Sequence, residues 1–130
     1  MSGEDHVEQF RLAESLLADR RPLEALRALA SVLEAEPDKP SVQLLAGRAY
    51  FHSAQLSRAE QAFRRVLDLD PADTYARFVL GRTLQRLGRL TEAQTQLRMA
   101  TAMDPRPEYQ EALGEVRARL ALNADRPTRD

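Results

Sequence analysis

Pro37, Pro71 and Pro105 recur at intervals of 34 residues, and other columns of the chain keep step with them. Ala25, Ala59 and Ala93 share the interval, as do the small residues Ala13, Gly47 and Gly81. So do two sets of large apolar residues, Leu16, Tyr50 and Leu84, and Leu29, Phe63 and Leu97. A period this strict, kept by residues of matched size, marks an array of stacked units in place of one core closed on itself. Such an array offers a long surface for holding another molecule.

Composition narrows the function classes. A net charge of −1 and a pI near 6.1 lack the basic excess of a dedicated nucleic-acid binder. Charged residues make up 30% of the chain with the two signs interleaved, the pattern of solvated helix faces. The chain has no cysteine, which removes disulfides, thiolate nucleophiles and cysteine metal sites. Its first residues, Met1-Ser2-Gly3-Glu4-Asp5-His6, are acidic and polar and do not read as a secretory signal. No apolar run reaches the roughly 18 to 20 residues of a membrane helix. A soluble cytoplasmic protein without a membrane or nucleic-acid partner is expected.

Only five glycines are present, and apolar residues fall at helical spacing in segments rich in Leu, Ala, Arg and Glu. Seven helices are expected: Glu4 to Ala18, Pro22 to before Pro37, Pro40 to near Ser53, Ser57 to Asp70, one opened by Asp73 as N-cap and closed by Gly88, Thr91 to Met103, and Pro107 to Asn123. Residues 124–130 are expected to be a disordered tail. The links within pairs are short, so each pair packs antiparallel. Small residues at 13, 47 and 81 and alanines at 25, 59 and 93 bring paired helices close, and the bulky columns fill the space beside them. The prolines stop the second helix of each pair and turn the chain into the next. No comparable reason is found for Gly114.

The runs Leu45-Ala46-Gly47-Arg48-Ala49-Tyr50, Ala59, Phe63 and Asp70-Pro71 resemble a tetratricopeptide repeat. Leu80-Gly81, Gly88-Arg89-Leu90-Thr91-Glu92-Ala93 and Asp104-Pro105 repeat the pattern, and the unit ending at Glu36-Pro37 is a weaker copy with Ala13 for glycine and Arg20 at the turn. The related 35-residue RNA-reading repeats fit less well, because the period here is 34 and the chain is not basic. The resemblance implies an all-α, right-handed α-solenoid of three helix-turn-helix units, about 6–39, 40–73 and 74–107, with a solvating helix at about 107–123. It also implies a concave groove lined by the first helix of each unit.

With the packing columns fixing the opposite face, helical spacing assigns Val7, Phe10, Glu14 and Leu17 to the groove from the first helix. Leu44, Arg48, Phe51 and His52 follow from the third, and Tyr75, Phe78, Arg82, Gln85 and Arg86 from the fifth, with Tyr109 of the last helix bordering the same surface. Five of the seven aromatics then share one face, flanked by arginine, as in interface hot spots. The alternative is that these rings, Phe10 and Phe78 above all, pack between neighbouring first helices. Arg48, Arg82 and Arg86 suit an acidic segment or a free carboxylate, or else local pairing with Glu14 and neighbouring acids.

Some members of the family resembled here grip chaperone C-termini with a clamp of Lys, Asn, Asn, Lys and Arg. The corresponding positions of this chain hold Phe10, Glu14, Leu45, Tyr75 and Val79, so that mode is not expected. His6 and His52 fit no metal-ligand spacing, and no phosphate-cradling loop occurs. The expectation is a non-enzymatic module, without cofactor or metal, that holds a peptide or helix of a partner protein. The alternative is a homodimer assembled through the groove or an open end of the stack.

Overall fold

In the computed structural model, which describes residues 3–125, the chain forms seven α-helices and, among the described residues, no strand. They are α1 (Gly3–Ala18), α2 (Pro22–Ala35), α3 (Pro40–His52), α4 (Leu56–Leu69), α5 (Thr74–Arg86), α6 (Leu90–Met103) and α7 (Pro107–Ala124). Pro22, Pro40 and Pro107 stand in the first turns of α2, α3 and α7, where a missing N–H leaves no hydrogen bond unmade. Asp73 caps α5, its Oδ1 accepting from the Ala76 N–H at 2.9 Å. Of the tail expected at 124–130, Ala124 closes α7 and Asp125 follows it, while 126–130 lie outside the described residues.

The turn inside each unit is the same device three times. The N–H groups of Arg20, Ala54 and Gly88 donate to the carbonyls of Leu17, Phe51 and Gln85 at 3.0–3.1 Å. Those of Arg21, Gln55 and Arg89 donate to Leu16, Tyr50 and Leu84 at 2.8–2.9 Å. This is a Schellman ending, which needs a left-handed residue at its corner. Gly88 supplies it freely at φ +79°, whereas Arg20 and Ala54 are forced to φ 62° and 61°. Left-handed backbone costs a residue with a Cβ roughly 1 to 2 kcal/mol. Ala54→Gly is therefore expected to raise stability by about 1 kcal/mol, after the entropy that glycine loses on folding. Urea unfolding checks this, and a lower midpoint would contradict the strain.

Between units the chain turns at the periodic proline, but not identically each time. Four residues separate α2 from α3 and α4 from α5, and three separate α6 from α7. The last link closes with the Arg106 N–H on the Asp104 carbonyl at 2.8 Å, where the earlier two have Lys39 on Glu36 and Asp73 on Asp70. One missing residue shifts the register of α7. Tyr109 then falls in the column of Val42 and Ala76, all three buried. Gly114 falls in the column of Gly47 and Gly81, and Glu115 in that of Arg48 and Arg82.

The glycine column shows why a side chain is missing there. A Cβ on Gly47 would lie 2.4 Å from the Phe63 ring, and one on Gly81 would lie 2.7 Å from the Leu97 side chain. Nothing lies within 4 Å of the same position on Gly114, because α7 has no second helix across from it among the described residues. The core comes in two buried clusters, one from α1 to α3 and one from α4 to α7. Half-buried Tyr50 packs against both and joins them.

Curvature follows from which helices meet. First helices approach one another in succession, α1 with α3, α3 with α5 and α5 with α7, whereas the backbones of α2, α4 and α6 stay apart and only charged side chains such as Arg64 and Glu92 reach between them. The stack therefore bends toward its odd-numbered helices and makes them its inner face. The outer side is tied by charges. Glu60 on α4 accepts from Arg64 at 2.9 Å and from Arg89 at 2.6 Å, and Arg89 also grips Glu92 of α6. Partial burial raises the Glu60 pKa, but the hydrogen bonds from Arg64 and Arg89 together with the charges of both arginines outweigh it and hold the carboxylate below its ordinary value.

Candidate functional site: the inner face

On a helix, positions three and four apart share a face, so α3 aligns Leu44, Arg48, Phe51 and His52, and α5 aligns Tyr75, Phe78, Arg82, Gln85 and Arg86. Between these two helices lies a hollow of about 190 Å³. Its wall is aromatic and aliphatic, with Phe51, Tyr75, Phe78 and Val79, and an edge of the core residue Phe63. Its polar rim is Arg48, His52 and Arg82, with no carboxylate among the lining residues.

The cations differ in how they are engaged. Arg86 sits over the Phe51 ring, 4.7 Å from its centroid, and donates to the Phe51 carbonyl at 3.1 Å. Arg82 donates to Glu115 of α7 at 3.0 Å and to Gln85 at 3.1 Å, and Gln85 also donates to Glu115 at 3.3 Å. Arg48 has no acceptor among the described residues. Burial first, then the charges of Arg48 and Arg86, hold the His52 pKa below the usual histidine value. His52 is thus largely neutral near pH 7, its ring 5.5 Å edge-on to Phe51.

Farther toward the N-terminus a second hollow, about 290 Å³, lies between α1 and the start of α3. Val7, Phe10 and Glu14 line it, but His6, Arg11, Glu36 and Lys39 share it, so it presents both charge signs. Phe10 is half-buried against the first core cluster. Val7 is half exposed and Glu14 exposed. Leu44 is half-buried against the second cluster.

Two expected groove residues belong to the core instead. Leu17 is buried with Ala13, Leu45 and Ala49 in the first cluster, where an apolar side chain gains by leaving water. Tyr109 is 1% exposed. Counted from the prolines it should match exposed Tyr75, but the shortened link rotates it inward onto Phe78, with ring centroids 4.4 Å apart. Phe78 also meets Tyr75 at 6.3 Å, so the three rings form a ladder from the groove into the α5–α7 contact. Glu115 and Val79 are two site residues that helical spacing alone does not bring forward. The signal for Glu115 is its place 33 residues after Arg82.

No helix among the described residues is long and apolar enough to cross a membrane. No curated protein matches the chain. Among solved structures, the first TPR domain of Spaghetti (RPAP3), bound to the HSP90 peptide SRMEEVD, is similar at TM-score 0.85 and 19% identity, over 93% of this chain and 97% of that one. The Sgt2 TPR domain from Aspergillus fumigatus gives TM-score 0.85 at 16% identity, covering 99% and 89% of the two chains. MamA gives 0.84 at 17% identity, covering 92% and 71%. At such identities the likeness is one of fold. Two tetratricopeptide repeat models match the sequence itself, over residues 10–74 and 54–116. Together with the three packed units, they place this chain in the tetratricopeptide repeat family.

Proposed function

We propose that this chain is a protein-interaction module whose inner face holds a segment of another protein. The observation that carries the reading is the hollow between α3 and α5, an aromatic wall rimmed by arginine with no acidic residue in its lining. Its chemistry suits a segment that places an apolar side chain against Phe51, Tyr75 and Phe78 and a carboxylate on Arg48. Similar folds support the kind of work, since the RPAP3 domain was solved with the peptide SRMEEVD, three of whose last four residues are acidic. The manner of grip differs. In place of the Lys, Asn, Asn, Lys and Arg of a chaperone clamp this chain has Phe10, Glu14, Leu45, Tyr75 and Val79, of which Leu45 is buried.

The experiment is a selection of random heptapeptides displayed on phage against the wild type and the double variant Arg48→Ala/Tyr75→Ala. Both side chains stand free of the core, so the variant should keep its helicity and melting temperature while losing the selected peptides. Equal retention by both proteins would sink the reading. A second reading, a homodimer joined at the N-terminal end, draws on exposed Leu12 and Leu23 of α1 and α2. Light scattering over a hundredfold range of concentration separates the two. A constant monomer mass is expected, and a dimer that Leu12→Ser dissolves would favour assembly.

A further inference from the structure

One column of the inner face carries charge in every unit: Glu14, Arg48, Arg82 and, through the shortened last link, Glu115. Arg82 and Glu115 are therefore neighbours along the stack by construction. Their contact at 3.0 Å, backed by Gln85 on the same carboxylate, pairs Arg82, which lines the α3–α5 hollow, with a carboxylate that lies outside the hollow's lining. Arg48, on the same rim and in the same column, carries none. The rim thus has two equivalent guanidinium positions, one filled from within the chain and one open.

We propose that Arg48 and Arg82 together form a carboxylate-binding site, and that Glu115 is an internal competitor occupying its Arg82 half. This rests on the reading of the inner face as a peptide groove and adds what the groove selects. The ligand is a segment with two acidic side chains, or one acidic side chain and a terminal carboxylate, next to an apolar residue that enters the hollow. One carboxylate meets Arg48 and the other displaces Glu115 from Arg82. The charge balance favours this class. The open half is cationic, no acid lines the hollow, and the carboxylate that must leave is itself half exposed and easily hydrated. Displacement then frees α7 from its polar tie to α5 while Tyr109 still holds the helix by stacking on Phe78.

The test uses the heptapeptides selected on the wild type, with affinities measured by fluorescence anisotropy. Glu115→Gln removes the competitor's charge and is expected to tighten acidic peptides about two- to fivefold, the range of an exposed ion pair. It should leave neutral peptides unchanged. In an Arg82→Gln background the same substitution should have no effect, since the competitor has nothing to compete for. Arg48→Gln should weaken acidic peptides and flatten their salt dependence. If acidic peptides bind and are lost in Arg48→Gln, yet Glu115→Gln leaves them unchanged or weakens them, the competitor role is wrong and the groove stands. If the selected peptides are not acidic, the carboxylate site is wrong. If no peptide is enriched on any variant, the groove reading itself fails. A single-stranded oligonucleotide run in parallel should show no tightening in Glu115→Gln, and a tightening equal to that of the peptides would make the site a general anion site.

Discussion

Gly47→Ala is expected to destabilise the fold by roughly 2 to 3 kcal/mol, a large loss for the addition of one methyl group. The new Cβ would sit 2.4 to 3.0 Å from three atoms of the Phe63 ring, a rigid and fully buried side chain. At Gly81 the opposing atoms belong to Leu97, and the first unit already pairs Ala13 with Leu29 in those columns, so Gly81→Ala should cost less. At Gly114 the sign reverses. That position is exposed inside α7 with open space around it, and alanine should stabilise by about 0.5 to 1 kcal/mol through helix propensity alone. Urea unfolding of the three variants measures the series. Phe63→Leu should recover part of the Gly47→Ala loss, because a leucine can yield where the ring cannot. Three similar costs, or no recovery, would contradict the close approach of α3 and α4.

Tyr109→Ala is expected to cost about 3 to 5 kcal/mol, as for other large buried aromatics. The ring is 1% exposed, stacks on Phe78 at an interplanar angle of 22°, and fixes α7 to α5. Tyr75→Ala should do the reverse, changing stability by less than about 1 kcal/mol because the side chain is 39% exposed, while weakening ligand binding. The pair separates a ring that builds the stack from one that faces the groove. Chemical denaturation with peptide binding on both variants checks it. A Tyr109→Ala protein as stable as the wild type would mean that α7 is held by something other than this stack.

Much of the fold is legible in the amino-acid sequence itself. The 34-residue columns are packing contacts, and packing demands matched residue sizes at each repeat, so the demand is written into the chain. Helix ends are legible to within a residue or two where a proline or Asp73 marks them. The corner of each turn is legible only at Gly88. Arg20 and Ala54 adopt the same left-handed backbone because the Schellman hydrogen bonds require it, and no residue type announces that. Tyr109 departs from its expected place for a different reason. Its distance from Tyr75 keeps the period, but a link shorter by one residue rotates α7 and moves the ring from the groove column to the core column. The same shift explains Gly114, which keeps the notch of a first helix with nothing to fill it. Leu17 departs from the groove because helical spacing gives a face without showing how far a neighbouring helix covers it.

The measurement that bears most directly on the central claim is a map of amide and side-chain NMR shifts as a selected acidic peptide is added to the labelled protein. The account predicts changes centred on Arg48, Phe51, His52, Tyr75, Phe78 and Arg82, with the Arg82 guanidinium resonance moving as Glu115 is displaced, and little change on α2, α4 and α6. Changes confined to the outer helices, or to Leu12 and Leu23 at the N-terminal end, would contradict it.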